Sequence, residues 1–86
     1  MQFLHERMYL NAGQTIEISL DKQANVRLMD DIQFRNYQAG NSFQCRGGRA
    51  IRSPIHLGVP HSGYWNLTID LGGGSGTIRH SIRILG

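Results

Sequence analysis

One cysteine, two prolines and one tryptophan are spread over 86 residues, and no long apolar run appears among them. Cys45 has no mate, which excludes the disulfide-stapled scaffolds of small secreted domains. It reads as a small core or half-buried residue in a reducing compartment. No stretch is long enough to span a bilayer, so no membrane partner is expected. Met1–Arg7 lacks the cationic start and long apolar stretch of a signal peptide, and the expected location is the cytoplasm of a bacterial-type cell. Without a secretory signal, Asn66-Leu67-Thr68 is not read as a glycosylation site. Cys-x-x-Cys, His-x-His and His-Glu-x-x-His are all missing, so neither a metal site nor a cofactor is expected.

Acidic residues are scarce in the second half. Residues 1–43 carry four cations against five acids, whereas residues 44–86 carry five arginines against Asp70 alone. Eight of the nine cations are arginine, whose planar fork suits carboxylates and phosphates. A chain of this length holds one domain with one modest core, here residues 1–86.

What is abundant is two-residue alternation. In Gly63-Tyr64-Trp65-Asn66-Leu67-Thr68-Ile69-Asp70-Leu71, the apolar Trp65, Leu67, Ile69 and Leu71 alternate with Tyr64, Asn66, Thr68 and Asp70. One face of such a strand is buried and the other is wet. The same pattern sets Leu4, Met8 and Leu10 against His5, Arg7 and Tyr9. It also sets Ile16, Ile18 and Leu20 against Thr15, Glu17 and Ser19, and it marks a short strand at Ala24–Met29. Ser42–Arg46 reads as a short strand ended by Gly47-Gly48. Residues 49–59 read as one strand interrupted at Pro54, placed at an edge because proline donates nothing to a ladder. Thr77–Leu85 follows the Gly72–Gly76 loop, itself read as a hairpin connection. The exception is Asp30–Tyr37, where acids lead, Phe34 and Tyr37 are three apart and Gly40 follows, the polarity of a short helix near 31–38. Together these predict an all-β fold, an antiparallel β-sandwich of about seven or eight short strands with one short helix.

Asn11-Ala12-Gly13-Gln14-Thr15-Ile16-Glu17-Ile18, the later Asp31, Phe34 and Tyr37, and the Gly63-x-Trp65 strand resemble the pattern of GOLD-type and pre-peptidase C-terminal β-sandwiches. That resemblance implies a jelly-roll-like sandwich and no catalytic residues. Phe3-Leu4-His5-Glu6-Arg7, Leu28-Met29-Asp30-Asp31, Arg52-Ser53-Pro54, Pro60-His61-Ser62-Gly63 and Asn66 to Gly73 make the whole chain similar to the bacterial family named only as domain of unknown function 1883. The family implies small stand-alone proteins, sometimes joined to Toll/interleukin-receptor-type signalling modules, and no established activity.

The candidate site is a basic surface for an anion or an acidic protein. It comprises Arg46, Gly47, Gly48, Arg49 and Arg52 around a glycine turn, with Arg79 and Arg83 on the outer face of the last strand. Backbone N–H groups and guanidinium forks together suit anions. Solvated, scattered charge is the competing reading. Asp30 and Asp31 read as helix-start acids rather than a catalytic pair, and His61 as a turn histidine. Cys45, or His56 and His61 with Asp70, would make an enzyme only if brought together, and no catalytic residue is expected. Nucleic acid is disfavoured because basic residues are not interleaved with exposed aromatics. The outer face of Tyr64, Asn66, Thr68 and Asp70 resembles a shallow polar binding surface. The leading reading is a binding or interaction module without catalysis. The alternative is self-association, for instance a homodimer, through an exposed sheet edge.

Overall fold

The computed structural model describes residues 3–72 and 76–86, so Gly73, Gly74 and Ser75 of the glycine loop lie outside the described residues. Among the described residues alternation becomes seven strands: β1 (Leu4–Leu10), β2 (Thr15–Leu20), β3 (Ala24–Asp30), β4 (Arg46–Ala50), β5 (Ile55–Gly58), β6 (Gly63–Asp70) and β7 (His80–Leu85). They form two antiparallel sheets, one ordered β1-β6-β3-β4 and the other β5-β2-β7. The inward sets meet between them. Leu10, Ile16, Ile18, Val26, Leu28, Trp65, Leu67 and Ile69 are buried in one cluster, and Ile82 packs against it. Each fully buried aliphatic side chain contributes about 2 kcal/mol of transfer free energy.

The helix α1 spans Asp31–Ala39. Asp30 caps it, its carboxylate accepting from Gln33 N at 2.8 Å, and Asp31 occupies the positive first turn. Gly40 ends it in the left-handed conformation, φ 77°.

Three expectations are corrected. Gly47-Gly48 do not end a strand; β4 starts at Arg46 and runs through them. Glycine is needed at position 47, where φ is +95° and a Cβ would collide with the Val26 carbonyl and press on the Leu57 methyls. Residues 49–59 are not one interrupted strand. The chain leaves the four-stranded sheet after Ala50 and enters the three-stranded sheet at Ile55, directly after Pro54. The glycine loop is no hairpin, because β6 and β7 belong to different sheets, and β7 begins at His80 rather than Thr77.

Candidate functional site

The seven predicted site residues separate into three places. Arg46 opens β4 opposite Leu28, and Arg49 stands opposite Asn25. At strand rise the two lie about 10 Å apart, toward opposite ends of β4. Gly47 and Gly48 sit between them in a ladder, so they form no anion-cradling turn.

Arg49, Arg52 and Arg79 gather at the end of the sandwich that holds the β2–β3 turn, Asp21–Gln23. Arg49 Nη2 donates to Gln23 Oε1 at 3.1 Å. Beside Arg52, Ser53 Oγ accepts from Leu20 N at 2.8 Å. On the other side of β2, Asp21 N donates to Arg79 O at 3.1 Å, and Arg79 N donates to Asp21 Oδ1 at 2.8 Å. Lys22, absent from the sequence-based set, donates from Nζ to Thr77 O at 2.5 Å. Lys22 within the turn and three arginines beside it therefore lie around a single turn acid, Asp21, which already has one oxygen occupied. The signal for Lys22 was its place in the Asp-Lys-Gln turn; only the sheet pairing shows what that turn meets.

Arg83 is engaged elsewhere. On the outer face of the three-stranded sheet, Glu17 stands opposite both His56 and Arg83. Arg83 Nη2 reaches Glu17 Oε1 at 3.0 Å, and His56 Nε2 donates to Glu17 Oε2 at 3.1 Å. The hydrogen bond from His56, followed by the Arg83 charge, holds the Glu17 carboxyl below its ordinary range.

The outer face of β6 is corrected most. Asn66, Thr68 and Asp70 were expected to be wet, yet all three are buried. Helix α1 covers them, and Phe34 stacks on His5 with centroids 4.0 Å apart. The covered polar groups are satisfied by one another. His5 Nε2 donates to Asn66 Oδ1 at 2.8 Å, and Asn66 Nδ2 donates to Asp31 Oδ1 at 2.8 Å. Arg7 grips the same Asp31 with two bonds, 3.1 and 2.8 Å, and those bonds with that from Asn66 draw the Asp31 carboxyl down to about 2. Only the Thr68 hydroxyl finds no partner among the described residues. A face that looked like a binding surface is instead an internal polar layer. Tyr64, beyond the helix, does remain exposed, beside Tyr9 and under the Arg7 guanidinium.

Cys45 is exposed rather than half-buried, because it lies in the irregular segment before β4. His61 is the expected turn histidine: Nδ1 donates to Ser62 O at 3.5 Å, and its carbonyl accepts from Trp65 Nε1 at 3.1 Å. His56 and Asp70 lie on the outer faces of different sheets, so the geometry does not unite the groups an enzyme reading required. Among the described residues no three His, Cys, Asp or Glu side chains are placed to hold a metal ion, and no helix is long and apolar enough to cross a membrane.

The chain belongs to a family described as a domain of unknown function, DUF1883, whose model matches residues 1–86. No curated protein and no solved structure matches it.

Proposed function

We propose that this protein is a non-catalytic binding module of the bacterial cytoplasm that captures an acidic protein surface or small anion at the cationic end of its sandwich. The observation carrying this reading is that Lys22 in the β2–β3 turn, Arg49 bonded to Gln23 of that turn, Arg79 paired with Asp21 through its backbone and Arg52 next to Ser53 all lie at one end of the sandwich, where Asp21 forms no ion pair among the described residues. Recognition there is charge-assisted on a preformed scaffold, which favours fast, salt-sensitive association. An exposed, unpaired Cys45 accords with a reducing compartment. The test is binding of a poly-glutamate peptide by calorimetry at low and high salt. The double variant Arg49→Ala/Arg52→Ala is expected to lose roughly tenfold or more in affinity with little change in melting temperature. Unchanged affinity, or affinity and stability falling together, refutes the reading.

The competing reading is association of two copies along a sheet edge. The supporting observation is β7, an outermost strand whose Ile84 is 41% exposed. Sedimentation velocity over a wide concentration range decides it: a constant monomer removes this reading.

A further inference from the structure

Arg46, left behind by the basic end, borders a different feature. A groove of about 330 Å³ runs between the start of α1 and the first residue of β4, and a second of about 220 Å³ opens between the 13–15 and 58–60 segments, also bordered by Arg46. The larger is at the small end of ligand pockets. Its walls hold one cation, Arg46, and one anion, Asp30, which form no ion pair with each other. Asp30 uses Oδ1 to cap α1, leaving its second oxygen without a bond from the described residues. Gln33 and Gln44 stand in the same groove, tied by Gln44 N donating to Gln33 Oε1 at 2.8 Å. That bond orients Gln33 with its amide N–H groups still to donate. Met29 and Trp65 supply apolar wall.

A groove with separated unlike charges, spare amide donors and apolar walls matches a small zwitterion better than a plain anion, which Asp30 would repel. We propose that this groove binds a free α-amino acid. Its carboxylate lies on Arg46, its ammonium on Asp30 Oδ2, and its side chain along Met29 and Trp65.

Calorimetric titration with the free protein amino acids, followed in parallel by emission of Trp65, the only tryptophan, tests this. At least one is expected to bind with a dissociation constant on the order of 1 mM or tighter. Its amide and its N-acetyl derivative are each expected to bind about tenfold more weakly, the effect of deleting one charged hydrogen bond. Arg46→Gln and Asp30→Asn are expected to weaken binding similarly, and asparagine still caps the helix, so α1 persists. Arg49→Ala/Arg52→Ala is expected to bind the amino acid as the parent does, which separates this site from the cationic end. The proposal is overturned by absence of binding at tens of millimolar, well above that constant. It is equally overturned by derivatives that bind as well as the parent ligand, by Asp30→Asn binding normally, or by loss in the Arg49/Arg52 variant.

Discussion

Arg27 Nη1 lies 2.7 Å from Asp70 Oδ2 beneath helix α1, and the Asp70 side chain is 1% exposed. The same carboxylate accepts from Asn25 Nδ2 at 3.0 Å, Gly72 N at 2.8 Å and Tyr37 Oη at 3.3 Å. Removing one partner of a buried pair leaves the other charge uncompensated. Arg27→Ala is therefore expected to destabilise the fold by about 3 kcal/mol in urea unfolding. Asp70→Asn combined with Arg27→Met, which removes both charges, is expected to be less damaging than Arg27→Ala alone. The reverse ranking would show that the pair is incidental to the helix cover.

Acid stability follows mainly from two carboxyls, Asp31 and Asp70, with the lowered Glu17, at the outer face, adding in the same direction. Arg7 and Asn66 hold Asp31 at about 2 against an ordinary 3.8. Burial alone raises the Asp70 carboxyl, but the bonds from Asn25 and Gly72 and the Arg27 charge outweigh it and leave the group below its ordinary value. Both groups bind protons more readily in the unfolded chain, so their contribution is full above the unfolded value and lost as pH falls. Stability is expected to stay level from neutral to about pH 5 and to drop between 3.8 and about 2. In Arg7→Ala the drop is expected to be shallower, as read from urea midpoints across the acid range.

Alternation in β6 was enough to place Trp65, Leu67 and Ile69 in the core, because period two sorts side chains between faces without long-range information. It could not say whether a second layer covers the other face. That depends on where α1 docks, and the local signal was the pair Phe34 and Tyr37, apolar residues on a helix that must bury them against something. The cationic set is divided among three places for a related reason. Arg46 and Arg49 are close in sequence, yet strand rise separates them, while the segments carrying Lys22, Arg52 and Arg79 come to one end only through the pairing of β2 with β5 and β7. Gly47-Gly48 misled because glycine marks turns as readily as it marks close backbone approach.

Position 47 gives a direct test of that second meaning. Gly13 and Gly47 share a positive φ, +88° and +95°, but a Cβ at 13 meets open space whereas one at 47 meets the Val26 carbonyl and Leu57. Gly13→Ala is expected to cost about 1 kcal/mol, from backbone strain alone. Gly47→Ala is expected to cost at least twice that, since β4 must shift away from β3 or from Leu57. Thermal denaturation of the two variants checks the order, and equal losses would mean that only φ matters at position 47.

The helix cover itself rests on Phe34, 9% exposed, sandwiched with His5 and edge-on to Phe3. Ile32 on the same helix is 61% exposed and serves as the control. Phe34→Ala is expected to cost about 3 kcal/mol, and Ile32→Ala less than about 0.5 kcal/mol. Beyond global stability, loosening α1 lets water reach Asn66, Thr68 and Asp70, whose mutual bonds then compete with solvent. Hydrogen exchange should report this locally: amides of α1 lose protection in Phe34→Ala while those of β2, in the opposite sheet, fall only with the global stability. Uniform loss across both sheets would instead make the helix an integral part of the cooperative core rather than a layer laid over it.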